Sequence, residues 1–197
     1  MEALPAFLLA GLALTGSPGP ATLSVAASGA AFGARRSLGY LAGILAGIVA
    51  VMAIAASGVI GLVLALPGAA PVVGLVAAAY ICYLAYRIAT APPLAAHDEM
   101  ARAPTALGGV ILQLFNPKAY AAMASLFSGF VLIAEQPWLD ALVKGVVLFA
   151  VIVVVNVTWL LVGASLTRWF REPAANRVIN LAFAVLLLAS VAFVLVL

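Results

Sequence analysis

The chain is 197 residues long, 67% of them hydrophobic and only 8% charged, with a formal net charge of +3. A soluble domain carries about 25% charged residues, so a soluble fold is excluded: too little polar surface exists to cover so much apolar surface. A bilayer accommodates such a chain, and sparse basic residues between apolar runs suit a membrane surface rather than nucleic acid.

A spanning helix needs about 20 apolar residues at about 1.5 Å each. On that ruler the sequence predicts six spans. The first runs from about Ala3 to Phe32, interrupted at Gly16-Ser17-Pro18-Gly19-Pro20. Its start does not read as a signal peptide, because Glu2 has the wrong sign and the apolar stretch outruns any cleavage site. The second span runs from about Ser37 to Leu66. Pro67-Gly68 and Pro71 turn the chain into the third, which ends near Arg87. Thr90 to Pro104 is the polar loop, and its His97-Asp98-Glu99 reads as a solvated linker rather than a metal site. The fourth span runs from about Thr105 to Ala134, interrupted at Asn116-Pro117-Lys118. The fifth runs from about Trp138 to Leu166 and the sixth from about Ala175 to Leu197.

Orientation follows from the basic residues. With the N-terminus outside, the inner loops hold Arg35, Arg36, Arg87, Arg102, Arg168, Arg171 and Arg177, and the outer loops hold only Lys144. The positive-inside rule then places both termini on the non-cytoplasmic side.

Pro18 and Pro117 are 99 residues apart. The same offset carries the region of Leu38 onto Pro137-Trp138, and Pro71 close to Pro173. The expected fold is therefore a single all-α transmembrane domain made of two three-helix repeats. Repeat 1 covers about 1–90, a linker about 91–104, and repeat 2 about 105–197. Three is odd, so the repeats are inverted, with helices 1 and 4 broken. Matched Gly/Pro breaks in such halves point to a transporter's binding site.

Proline lacks an N–H and clashes with the carbonyl four residues earlier. Pro18, Pro20 and Pro117 thus free the carbonyls of Leu14, Gly16 and Gln113. Such groups survive at membrane depth only when buried in protein or facing a wet cavity. Gly16 and Gly19 ease unwinding, and Ser17 and Thr22 add hydroxyls. Each break also opens a new half-helix, with Asn116 as N-cap and Pro117 or Pro20 at the first position. Two such electropositive ends would form an anion site. Lys118 lies near mid-bilayer at one of them, where a cation is doubly disfavoured. No acidic residue is expected inside the spans, so the expected counter-charge is a substrate carboxylate. The plainer reading is a lysine that snorkels to the surface or is held neutral by the freed carbonyls.

Gln113, Asn156, Thr158 and Ser57 are the other polar residues inside spans; Ser57 and Asn156 share the 99-residue offset. They either line a pore or join helices by hydrogen bonds. Gly39, Gly43 and Gly47 recur every four residues, a close-packing stripe within the subunit or across a homodimer. Cys82, the one cysteine, reads as a small packing residue, and Tyr80, Tyr83, Tyr86, Trp138, Trp159 and Trp169 read as interface or packing aromatics.

Gly16-Ser17-Pro18-Gly19-Pro20, the glycine-spaced second helix after Arg35-Arg36, and Phe115-Asn116-Pro117-Lys118 together resemble the LysE/RhtB amino-acid exporter family, over essentially the whole chain. The resemblance implies efflux of amino acids or related metabolites across a bacterial inner membrane, driven by the proton gradient. It carries over onto Pro18, Gly19, Pro20, Asn116, Pro117 and Lys118. Many members carry an acidic or amide residue where this chain has Ala21-Thr22, and an acidic residue in the second helix where this chain is apolar from Gly47 to Ala50.

The expected substrate site comprises Ser17, Pro18, Gly19, Pro20, Thr22, Gln113, Asn116, Pro117, Lys118 and Asn156. With no counter-charge for a second cation, a neutral amino acid or another small organic acid is favoured over a basic one. Protons are the candidate coupling ion. Neither cofactor, metal nor catalytic constellation is expected. A thiol redox carrier needs paired cysteines and a divalent-cation transporter needs clustered carboxylates. A non-transporting scaffold is the remaining alternative.

Overall fold

The structure is a computed structural model that describes residues 3–58 and 103–165 continuously, with scattered residues between 75 and 90 and between 174 and 189. Every regular element among the described residues is an α-helix. Helix α1 is Leu4–Gly16 and α2 is Pro20–Ala56. Helix α3 is Ala106–Leu114, α4 is Pro117–Gly129 and α5 is Pro137–Ser165. At 29 residues, α5 is about 44 Å long, more than the roughly 30 Å of a hydrocarbon core.

Helix α2 is two limbs. In a straight helix Ser24 and Tyr40 would lie about 24 Å apart. Instead the Tyr40 hydroxyl donates to Ser24 Oγ at 3.1 Å, and Ser28 Oγ donates to Ser37 Oγ at 2.8 Å. The chain therefore doubles back. It does so at Gly33, whose φ of 78° and ψ of 160° fall in a region essentially reserved for glycine. Limb 20–32 completes the first span, limb 34–56 forms the second, and Arg35 and Arg36 are exposed at the turn.

Two helices end before the predicted spans do. Helix α2 ends at Ala56, followed by Ser57 and a left-handed Gly58 (φ 73°), and residues 59–66 of the predicted span lie outside the described residues. Serine and glycine end the helix where apolarity alone would continue it. The fourth span stops at Gly129 and is extended from Phe130, rather than reaching Ala134. The residues described between 75 and 89 and between 174 and 189 are helical. Pro67-Gly68, Pro71, Tyr80, His97-Asp98-Glu99, Trp169, Pro173 and both ends of the sixth span lie outside the described residues. Cys82 is exposed rather than packed, which costs little where the surrounding solvent is lipid.

The two continuously described stretches, 3–58 and 103–165, share one layout. A broken helix (α1 and limb 20–32; α3 and α4) is followed by a long one (limb 34–56; α5). The segments after the breaks are thirteen residues each, 20–32 and 117–129. Pro20, not Pro18, occupies the first-turn position that Pro117 holds in the other half. Each half also packs on the other at glycines. Gly43 meets the Ala106 carbonyl, Gly47 meets Gln113, and Gly109 meets the Tyr40 carbonyl. On the opposite side Gly29 meets the Leu160 carbonyl and Gly163 meets the Ala26 carbonyl. The stripe of Gly43 and Gly47 is thus an intrachain contact, while Gly39 faces open space. A buried cluster of Phe7, Val51, Met123, Leu126 and Leu148 fills the space between the helices.

These contacts predict a sharp contrast. A side chain at Gly43 meets backbone, which cannot swing aside, so Gly43→Val should cost at least ~1–3 kcal/mol. Gly145→Ala, in open space on α5, should be neutral or slightly stabilising. Thermal unfolding of the two detergent-solubilised variants measures this, and equal melting temperatures would remove the close-packing account.

Candidate functional site

The breaks raise an accounting question, because every freed carbonyl needs a donor. Ser17 Oγ donates to the Leu14 carbonyl at 3.1 Å, and the Asn116 N–H to that of Gln113 at 3.2 Å. The Gly16 carbonyl accepts from Trp159 Nε1 of α5 at 3.2 Å. Trp159, expected as an interface or packing aromatic, gives its indole N–H to a rupture 143 residues away. Thr22 Oγ1 accepts from the Gly19 N–H at 2.9 Å, closing the first turn of α2.

Lys118 joins the two breaks. Its Nζ donates to the Ser17 carbonyl at 2.5 Å and the Pro18 carbonyl at 3.1 Å, 101 and 100 residues away. The side chain is half-buried and reaches from the first turn of α4 across to the irregular linker, residues 17–19, between α1 and α2. Gly19 makes this approach possible. Its backbone is extended (φ −171°), which any residue can adopt. A Cβ there, however, would lie 2.6 Å from Lys118 Cδ and 2.9 Å from Nζ. Of the two fates open to the lysine, it is held by carbonyls of the other break rather than snorkelling.

Beside this link lies a cavity of about 50 Å³, room for a few waters. Gly19, Pro20, Thr22, Gln113, Asn116, Lys118 and Asn156 line it. Seven of the ten expected site residues thus border one cavity. Ser17 and Pro18 touch the cavity only through Lys118, and Pro117 stands behind it as the first residue of α4. Ser57 and Thr158 do not reach it. Ser57 is exposed at the end of α2, nine residues past the lining Ile48, or about 13 Å by helical rise. The Thr158 hydroxyl is exposed and bonds back to the Val154 carbonyl. The apolar remainder of the wall includes Leu14, Ile48, Met123 and Ile152. Nothing in sequence separates these from ordinary core residues.

Asn116 holds the N-cap position of α4, but its side chain does not cap. Its Nδ2 donates to Gln113 Oε1 at 3.4 Å, and its backbone carbonyl accepts the Ala119 N–H at 3.0 Å. Asn156 Nδ2 donates to the Ile152 carbonyl at 2.9 Å. Both asparagines are buried, and Oδ1 of each has no partner.

A second polar group was missed. Asp140 and Lys144 lie inside α5 and are buried, with Asp140 Oδ2 2.6 Å from Lys144 Nζ. This corrects two expectations: the spans do contain an acidic residue, and Lys144 is not in a loop. An acid and a base four residues apart on one helix neutralise each other, so the pair can be buried where a lone charge could not. Among the described residues no cluster of metal-ligating side chains occurs.

The fold is thus a set of apolar helices, two of them interrupted beside a cavity lined by both polar and apolar side chains. The family profile described as LysE type translocator matches residues 12–197. The chain belongs to that family, and so is a membrane transporter rather than an enzyme. It is similar to the cysteine/O-acetylserine efflux protein of Salmonella typhimurium, 33% identical over 87% of this chain and 86% of the relative. The protein of the same description from Escherichia coli O139:H28 is 31% identical over 87% of each chain. A Vibrio cholerae membrane protein is 26% identical over 85% of this chain and 84% of its own. No solved structure matches.

Proposed function

We propose that the protein exports small neutral amino acids or closely related metabolites across the bacterial inner membrane. The observation that carries this is Lys118, a cation at mid-span tied to the opposite half and bordering the cavity. In this reading the substrate carboxylate takes the amine from the Ser17 and Pro18 carbonyls, aided by the N-terminal end of α4. The efflux proteins named for cysteine and O-acetylserine support a small substrate. No carboxylate is among the described residues lining the cavity to receive a second cation, and Asp140, away from the cavity, is paired with Lys144. A basic amino acid is therefore disfavoured.

Supporting an inverted-repeat carrier are the matched layouts and the reciprocal glycine contacts between halves. In that mechanism the halves rock about the breaks and open the cavity alternately to each side. Both termini then lie outside the cytoplasm, and the proton gradient drives the cycle. A dimer is not required, because the glycine stripe is already used within the chain.

The test compares culture medium from cells overexpressing and lacking the protein. A small neutral amino acid should accumulate outside only when the protein is made. Preferred export of lysine or arginine would overturn the substrate assignment, and no difference in any metabolite would favour a non-transporting scaffold.

A further inference from the structure

We infer that Asn116 and Asn156 form the subsite for the substrate's ammonium group, so that the site recognises the zwitterion rather than the carboxylate alone. This rests on the proposed transport function and extends it.

The starting point is an imbalance. Asn116 and Asn156 line the same cavity from α4 and α5, and each is more than nine-tenths buried. Each commits its amide nitrogen to a protein acceptor, Gln113 Oε1 and the Ile152 carbonyl respectively. The Ile152 carbonyl fixes which way the Asn156 amide faces, because only an N–H can serve a backbone carbonyl; Asn116 gives its N–H to Gln113 Oε1 at 3.4 Å. The two Oδ1 atoms are left without donors. A buried acceptor with no partner carries a desolvation penalty, so a pair of them at one cavity marks a place where a donor is missing.

The chemistry of the missing donor follows from the rest of the wall. Lys118 supplies the cation for an anionic group. The amide oxygens of these two lining residues supply neutral acceptors, suited to the three N–H donors of an ammonium. An α-amino acid presents both charges from groups attached to the same carbon. Both oxygens are occluded in this conformation, so the ammonium reaches them only when the site opens in the transport cycle. A plain carboxylic acid could satisfy Lys118 but would leave the two oxygens as they are.

The experiment uses the full chain reconstituted in liposomes, with counterflow of labelled L-cysteine and of 3-mercaptopropionate, which lacks only the amino group. The wild-type protein should prefer cysteine by about 10-fold or more, the worth of a hydrogen bond to a charged group. Asn156→Leu should lose that preference by losing cysteine transport while keeping 3-mercaptopropionate. Asn156→Asp, which keeps an acceptor oxygen, should retain the preference. The inference is overturned if the wild type moves both compounds equally, if Asn156→Leu still prefers cysteine, or if it loses both compounds alike. It is also overturned if the preference requires sodium, since the oxygens would then hold an inorganic cation. If the wild type moves neither compound, the transport reading itself fails, and this inference with it.

Discussion

Lys118→Met should abolish export, by at least ~100-fold, while leaving the protein in the membrane at its usual level. The size follows from removing one partner of a desolvated, charge-assisted contact, which costs about 3–5 kcal/mol. Methionine is close in length and shape and is easier to insert in lipid than lysine. Insertion therefore does not suffer, and a loss of transport reports the amine itself. The substitution acts twice. It removes the cation that meets the substrate carboxylate, and it takes the donor from the Ser17 and Pro18 carbonyls. Gly19→Ala offers an independent probe of the same geometry. It leaves the amine in the chain, but the new methyl group displaces Lys118, which passes within 3 Å of that position. Transport should fall without full loss, because the far end of a flexible side chain can shift. Efflux assayed in everted vesicles, with membrane content checked by immunoblot, gives both numbers. A Lys118→Met protein that transports normally would detach the lysine from the mechanism.

The parts legible in the sequence are those governed by local covalent chemistry. Proline cannot donate, so Pro20 and Pro117 announced both ruptures and hence most of the cavity's polar wall. Lys118 stood out because a charge has no inexpensive place in an apolar helix. Residues whose role depends on a distant partner were hidden. Trp159 looks like any interfacial tryptophan until the Gly16 carbonyl is seen beside it. Ser57 looked like the mate of Asn156, because the 99-residue offset took no account of where the second span ends. Ile48, Met123 and Ile152 line the cavity with side chains that fit any hydrophobic core. The helix ends at Ala56 and Gly129 were obscured for a related reason: apolar composition measures affinity for lipid, whereas serine, glycine and extended backbone decide where a helix stops.

Asp140→Ala should destabilise the fold by about 3–5 kcal/mol, the second large effect expected of a single substitution. The reason lies in how completely the carboxylate is used. Oδ2 pairs with Lys144, and Oδ1 accepts the Leu132 N–H at 2.6 Å and the Ile133 N–H at 2.9 Å. Lys144 in turn donates to the Phe127 carbonyl, in the last turn of α4, at 2.9 Å. One ion pair therefore fastens the end of α4, the extended loop after it and the start of α5. The acid also sits in the first turn of α5, where the helix dipole favours it. Removing it strands a buried ammonium and two backbone N–H groups together. Lys144→Met strands a carboxylate that still has two donors, so it should cost less. Asp140→Ala with Lys144→Met should cost less than the two single changes combined, because neither charge is then left alone. Melting temperatures of the four purified proteins in detergent close this cycle. Additive losses would mean that the two residues act separately. Non-additive losses would show that the pair is a staple holding the far end of α4, whose other end presents Lys118 to the cavity.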